Sequence, residues 1–315
     1  MMSQYRLNPV DSLDDMRKLL EVQPEEEGTL LAYLNKFHYP LWITQFYENI
    51  RFVVSEIIEE AYGRGVRVLE LRYSPIIHTY AGLTLRQSIR AVLSGMNYET
   101  TRHPDLKVGL IVIAMRQHGP HIATILARQA ISEAQHLHRR AGVVGFDIAG
   151  MEVGHPPRLF REAYEIARLG HLRTTAHAGE DEAARNVWEA LDILGVDRVG
   201  HGCSATGDKE LLQRLARDRV LVECCLSSNY QTGAVKRGAP HPIVSFIEHG
   251  VPVAICTDNT TVSRTDLAAE NKLAAELLGA DAVATIAQDA INYSFLRDVG
   301  RWKGPPGIGP QSHTE

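Results

Sequence analysis

VVGFDIAGME at Val143–Glu152 and LRTTAHAGED at Leu172–Asp181 are the stretches that decide the fold. In both, a short apolar run rich in β-branched residues ends abruptly in carboxylate or imidazole side chains. Short apolar runs that alternate with longer amphipathic stretches are typical of repeated βα units around a parallel sheet. The sequence therefore predicts an α/β fold, with polar side chains collected where its strands end.

The same alternation continues along most of the chain. It predicts seven strands, at Val66–Tyr73, Val108–Ala114, Val143–Ile148, Leu172–His177, Arg198–His201, Val220–Cys225 and Val251–Thr257. Helical spacing is found at Ser12–Glu21, Thr29–Phe37, Tyr47–Tyr62, Leu85–Ser94, Ile122–His138, Pro157–Leu169, Asp181–Leu194, Thr265–Leu278 and Asp281–Phe295. A closed (β/α)8 barrel needs eight strands. The pattern alone thus leaves two architectures open: a doubly wound open sheet, or a barrel without its first strand.

Composition limits the domain organisation. At 315 residues with 44% hydrophobic content, the chain can bury one sizeable core. Because no linker-like segment divides it, we expect a single domain over residues 1–302, followed by a flexible Gly/Pro-rich tail at 303–315. Oligomeric state is not readable from these features.

Charge and cysteine usage bear on partners and location. A net charge of -5 gives no electrostatic reason to expect nucleic acid or an anionic membrane as partner. No apolar run approaches the roughly 20 residues that span a bilayer. The N-terminus shows no apolar signal-peptide region, and no cysteine falls in a C-x2-C pair. We therefore expect reduced thiols and a cytoplasmic protein.

Four polar residues near strand ends suggest a metal-assisted reaction. His177 and Asp258 offer the imidazole nitrogen and carboxylate oxygen that zinc accepts. Glu180 could move a proton between water and a substrate ring nitrogen, and His201 could orient the attacking oxygen. For Asp147, a structural and a functional interpretation remain equally open. We interpret most other histidines, including His241, as hydrogen-bonded structural residues.

Four motifs in order resemble the signature of adenosine deaminases: Gly145–Glu152 (GFDIAGME), Thr175–Glu180 (TAHAGE), Gly200–Gly202 (GHG) and Cys256–Asn259 (CTDN). The resemblance extends from about residue 29 to about residue 295 and includes SSNYQTGAV at Ser227–Val235. It implies a metal-dependent (β/α)8 TIM-type barrel from the amidohydrolase superfamily. It also implies the hydrolytic deamination of adenosine or a related aminopurine nucleoside, which yields the 6-oxo product and ammonia.

The resemblance implies a role for each matching residue. His177 and Asp258 would bind one Zn²⁺, and His201 would assist the metal-bound hydroxide. Glu180 would protonate the purine nitrogen next to the attacked carbon. The backbone N–H of Gly150 and the side chain of Asn259 would hold the purine ring.

Two features depart from the family pattern. Asn259-Thr260 stands where the family has aspartate followed by proline, and an asparagine amide can still donate a hydrogen bond to a ring nitrogen. The family also supplies two zinc ligands from a His-x-His motif on its first strand, whereas no histidine precedes His38. The pair His136–His138 falls in a helical pattern, where i and i+2 side chains diverge.

Three hypotheses accommodate these departures. The first is a hydrolytic deaminase whose leading strand is missing from the given sequence. The second is a metal-free pseudoenzyme that binds purine nucleosides without turning them over. The third is a deaminase that acts on another aminopurine, such as adenine, aminodeoxyfutalosine or a nucleotide.

Overall fold

The computed structural model describes residues 1–134 and 141–298. It contains seven strands, all predicted from the sequence with small shifts at their ends. They are β1 Val68–Tyr73, β2 Lys107–Met115, β3 Ala141–Ala149, β4 Arg173–Ala178, β5 Arg198–His201, β6 Leu221–Cys224 and β7 Val253–Ile255.

Helices precede the first strand and connect the others. The α-helices are α1 Leu13–Leu20, α2 Leu30–Asn35, α3 His38–Ile43, α4 Tyr47–Gly63, α5 Leu85–Arg102, α6 Gly119–Ala134, α7 Arg161–Leu169, α8 Arg185–Glu189, α9 Lys209–Arg217, α10 Leu226–Gln231, α11 Pro242–Glu248, α12 Thr260–Ser263, α13 Leu267–Leu278 and α14 Ala280–Tyr293. Single 3-10 turns lie at Met2–Tyr5, Pro24–Glu26, Pro75–His78, Arg116–His118, Pro157–Phe160, Cys203–Gly207 and Phe295–Asp298, and a π-helical turn at Ala190–Leu194 extends α8.

Two predictions lie outside the described residues. These are the helical placement of His136–His138 and the flexible tail at 303–315. Within the residues that are described, no helix is long and apolar enough to cross a membrane.

The strand order separates the two architectures that the sequence left open. All strands are parallel, and each pairs with the next one along the chain, from β1 to β7. A doubly wound sheet reverses its strand order at a switch point, whereas a (β/α)8 barrel keeps sequential order. The fold is therefore of the TIM type, with seven of its eight strands in the described part of the chain.

The apolar core lies between the strands and the surrounding helices. One continuous cluster of buried side chains extends from Ile50 on α4 to Ile286 on α14. A smaller cluster forms where Phe295 and Leu296 pack against Ile111 and Val144 on neighbouring strands. This second cluster places the chain after α14 against β2 and β3.

Charged side chains from four strands meet one another inside the curled sheet. Arg198 lies 2.6 Å from Glu70 and 2.8 Å from Glu223. Arg72 lies 2.5 Å from Glu223 and 3.2 Å from Asp147. We call these five residues the interior charge network. Through Asp147 it reaches the strand ends that carry the predicted site.

Candidate active site

His177, His201 and Asp258 lie at or just beyond the carboxyl ends of three strands of the same parallel sheet. His177 is on β4, His201 is the last residue of β5, and Asp258 follows β7. His201 and Asp258 both have left-handed backbones, with φ of 62° and 52°. A non-glycine residue in this region is strained, and such residues cluster at functional sites. Two of the four residues that the sequence selected thus have this strained backbone, which four other non-glycine residues of the described chain share.

Glu180 and His201 form a buried pair. Oε2 of Glu180 lies 3.5 Å from Nε2 of His201, and their side chains are 9% and 3% exposed. Burial raises the pKa of Glu180, although the nearby His201 and His177 oppose the shift. This carboxyl group therefore retains its proton to a higher pH than an ordinary glutamate, as a proton donor at this position requires.

His177 is oriented by Asp147. Nδ1 of His177 lies 2.9 Å from Oδ2 of Asp147, and the His177 backbone N–H donates to Oδ1 over 3.3 Å. Burial acts to raise the pKa of Asp147, but the charges of His177 and Arg72 outweigh it and lower that pKa. A carboxylate at Nδ1 leaves Nε2 available, which is the usual arrangement of a metal-binding histidine. Asp147, undecided from the sequence, thus contacts a candidate ligand directly.

Asp258 accepts hydrogen bonds from both sides. The Ser228 hydroxyl donates to its Oδ2 over 2.7 Å, and the Asn259 amide donates to its Oδ1 over 2.6 Å. Asn259 also donates to the Tyr33 hydroxyl over 3.3 Å. In this arrangement the amide of Asn259 orients Asp258, and both of its N–H groups are engaged. The contact with the purine that the resemblance implies would replace one of these two bonds.

The donor types at these strand ends fit zinc, since His177 offers an imidazole nitrogen and Asp258 a carboxylate oxygen. The Asp147 contact supports this fit, because it fixes the His177 ring through the other nitrogen. One group of three donors also occurs here: the ligand atoms of His201, Cys225 and Asp258 all lie within 4.8 Å of one another. In the described part of the chain, no comparable group includes His177.

Gly150 follows β3 and has a φ of 88°. A Cβ at this position would lie 2.6 Å from Oε1 of Gln117 and 2.9 Å from Cε of Met115. This backbone conformation favours glycine, whereas both crowding atoms end flexible side chains that can move aside. Gly150, whose N–H the resemblance implies to contact the purine, thus occupies a position where the backbone conformation favours glycine.

Glu152 holds the loop that carries Glu180, a role that the sequence analysis did not assign. Its buried carboxylate accepts three successive backbone N–H groups, from Gly179 at 2.7 Å, Glu180 at 3.1 Å and Asp181 at 3.0 Å. It also accepts from the Asn186 amide over 3.0 Å. The one feature of the sequence that points to this role is the position of Glu152 at the end of the Gly145–Glu152 motif.

Comparison with known proteins agrees with this geometry. The profile of the family described as adenosine deaminase matches residues 3–303. An adenosine deaminase from Clostridium kluyveri is 38% identical over 242 residues, which cover 77% of this chain and 68% of the relative. The chain belongs to the adenosine deaminase family. The resemblance predicted from four ordered motifs is thereby confirmed.

Solved structures bear out the fold of this adenosine deaminase family member. An adenine deaminase from Arthrobacter aurescens superimposes with a TM-score of 0.82 at 24% identity, covering 96% of this chain and 92% of that protein. An amidohydrolase from Burkholderia ambifaria, solved with bound Zn, gives a TM-score of 0.79 at 22% identity, covering 96% and 83%. The TIM-type architecture is thus common to all three proteins.

Proposed function

We propose that the protein catalyses the hydrolytic deamination of adenosine or a related aminopurine nucleoside. One water is consumed, a C–O bond forms at the ring carbon, and the bond from that carbon to the exocyclic nitrogen breaks to release ammonia. The observation that carries the proposal is the buried Glu180–His201 pair, 3.5 Å apart, beside His177 and Asp258.

Glu180 supplies the proton. Burial raises the pKa of its carboxyl group, so the acid remains available to donate to the ring nitrogen beside the attacked carbon. Protonation of that nitrogen draws electrons from the carbon and favours the addition of water. His201 positions the attacking water, while the Gly150 N–H and the Asn259 side chain hold the purine.

His177 and Asp258 would hold one zinc ion, and two further ligands of the family set are not present in this sequence. When bound, zinc supplies Lewis-acid activation of water. The protein's own contribution is orientation: Asp147 fixes the ring of His177, and Ser228 fixes the carboxylate of Asp258.

We place this activity in the cytoplasm, with a small-molecule purine as the partner. All four cysteines are free, which suits a reducing compartment. Neither a nucleic acid nor a membrane is needed, because the chemistry acts on the base of a free small molecule.

Replacing the proton donor tests the proposal. In Glu180→Gln the amide cannot release a proton to the ring, so kcat for ammonia release should fall about 10²–10⁴-fold. Asp181→Asn is the matched control, because Asp181 is the neighbouring, exposed carboxylate, and it should retain most of the activity. Ammonia release is measured with adenosine, adenine, AMP and aminodeoxyfutalosine, alongside the zinc content of each preparation.

The same four compounds also distinguish the possible substrates from one another and the deaminase from the pseudoenzyme. The largest kcat/KM identifies the substrate, and adenosine is expected to give it. A folded, zinc-containing protein that binds nucleosides but releases ammonia from none of the four compounds would overturn the proposal. Nucleoside binding without zinc or turnover would instead establish the metal-free pseudoenzyme.

A further inference from the structure

A line of buried hydrogen bonds leads from a backbone amide to His201. The Ile243 N–H donates to Nδ1 of His241 over 3.1 Å. Nε2 of His241 lies 3.2 Å from Oδ1 of Asn229, and Nδ2 of Asn229 lies 2.8 Å from Nδ1 of His201. The three side-chain residues are nearly inaccessible to solvent, with exposures of 1%, 0% and 3%. The line is therefore shielded from bulk solvent.

The donor and the acceptor of each bond follow from the backbone N–H group at which the line begins. A backbone N–H can only donate, so Nδ1 of His241 must accept. Burial lowers the pKa of His241 to about 4, so the ring is neutral and carries its single proton on Nε2. That proton is donated to Asn229, which must therefore present its amide oxygen to His241.

The same reasoning continues to His201. With its oxygen turned to His241, Asn229 presents its NH2 group to Nδ1 of His201, and an amide nitrogen only donates. Nδ1 of His201 is then an acceptor, and the ring proton must be on Nε2. Reversing the Asn229 amide would leave both nitrogens of His241 as acceptors, which a neutral imidazole cannot satisfy.

We propose that Asn229 and His241 are positioning residues that keep His201 in its Nε2–H form. In this form His201 presents an N–H group to the site, next to the carboxylate oxygen of Glu180 at 3.5 Å. Nδ1 already accepts from Asn229, and Nε2 has no free electron pair. His201 is thereby excluded from binding a metal, although its ring lies within 4.8 Å of the donor atoms of Cys225 and Asp258.

This inference rests on the proposed function only for its effect on turnover. The tautomer itself is a property of the resting protein and is measured by two-bond ¹H–¹⁵N correlation spectroscopy on ¹⁵N-labelled protein. The signal of His201 is identified by its loss in His201→Gln. The unsubstituted protein should show the proton on Nε2 of His201.

Asn229→Asp reverses the direction of the last bond. A carboxylate only accepts, so a proton should appear on Nδ1 of His201, and kcat should fall about 100-fold while the zinc content stays the same. In His241→Gln the new amide can still donate to Asn229, so His201 should keep its Nε2–H form. Asn292→Asp adds the same charge on the exposed face of α14 and should change neither the tautomer nor kcat.

Either of two results overturns the inference: Nδ1–H in the unsubstituted protein, or Nε2–H without Nδ1–H in a folded Asn229→Asp. The first measurement needs no substitution, so a variant that fails to fold does not remove the test. If the tautomers behave as expected but no substrate releases ammonia, the proposed function fails while the positioning role stands.

Discussion

Glu152 shows how a single side chain can hold a loop of the candidate site. Its carboxylate binds the N–H groups of Gly179, Glu180 and Asp181 within 3.1 Å. Hydrogen bonds to an ionised acceptor are stronger than those between neutral groups, and burial adds to the cost of losing one. The position of the Glu180 carboxyl group therefore depends on a residue that follows a different strand.

Glu152→Gln should lower both stability and activity. The glutamine would direct an NH2 group at backbone N–H donors, so we expect a loss of about 2 kcal/mol in the free energy of unfolding. Because the loop would shift, kcat should fall as well. Urea denaturation and ammonia release measure the two effects, with Glu182→Gln as the control on the same loop. An unchanged free energy of unfolding would contradict the role given to Glu152.

Sequence reasoning identified the candidate residues that directly follow or end a strand, because an apolar run that stops at a polar side chain is visible along the chain. The structure brings two of them, Glu180 and His201, within contact distance. Their catalytic roles, and the metal-binding roles of His177 and Asp258, remain predictions.

Sequence reasoning could not identify the residues that position this site. Tyr33 contacts Ser263 across 230 residues of chain, and Asn229 contacts His201 across 28. No periodicity or motif encodes such pairings. The sequence predicts His241 to be a hydrogen-bonded residue, and the structure shows it buried with bonds to Asn229 and Ile243. No pattern along the chain indicates that this line of bonds continues to His201.

Among the elements, α2 reaches the site from before the first strand. Its residue Tyr33 is buried, and the hydroxyl lies 2.8 Å from Oγ of Ser263 on α12 while accepting from Asn259 over 3.3 Å. Asn259 in turn bonds to Asp258. Through Asn259 and Ser263, the packing of α2 thus holds in place the segment that follows β7.

Tyr33→Phe should loosen this loop. Removing the hydroxyl leaves Ser263 and Asn259 without a shared partner, so we expect a loss of about 1 kcal/mol in stability and a raised KM. Thermal denaturation and steady-state kinetics check the two effects. Tyr80→Phe serves as the control, because that ring is 68% exposed. Equal KM values for the two variants would argue against a role for α2 at the site.

Helix α8 shows where element prediction failed. The sequence predicted one helix over Asp181–Leu194, but α8 begins only at Arg185 and passes into a π-helical turn at Ala190. The bonds from Glu152 hold Glu180 and Asp181 in the preceding loop. This contact between distant motifs, which local propensity does not show, accounts for the loop conformation of Glu180 and Asp181.

For the whole molecule, the alternation of short runs and helical patterns predicted the seven strands, and the family resemblance implied the TIM-type fold. The strand order agrees with both. The large apolar cluster from Ile50 to Ile286 supports our proposal that residues 1–302 form one barrel domain. The interior charge network was not foreseen. Glu70 and Arg72 lie two residues apart on β1 and therefore share a face, but nothing local shows that this face points inward.

The interior charge network should make the fold sensitive to acid. Burial acts to raise the pKa of Glu223, but Arg72 and Arg198 outweigh it and lower that pKa. As pH falls, the unfolded chain therefore binds this proton before the folded one does. The free energy of unfolding should decrease from about pH 4.5 downward, by up to ~1.4 kcal/mol per pH unit for this carboxylate.

Urea denaturation at constant ionic strength between pH 7 and pH 3.5 measures this decrease. The raised pKa of Glu180 acts in the opposite direction, since the folded protein takes up that proton first and gains stability as pH falls. Glu180→Gln removes the opposing contribution and should give the steeper loss. A free energy of unfolding that stays constant or rises below pH 4.5 would show that the network is not charged as described.

The left-handed backbones of His201 and Asp258 have a consequence for protein engineering. Each non-glycine residue held in this region costs on the order of 1–3 kcal/mol, and here both are candidate active-site residues. Mutagenesis that selects only for heat resistance would therefore favour glycine at these two positions and lose the side chains. A thermostable biocatalyst based on this barrel has to gain its extra stability elsewhere, on the outer helices.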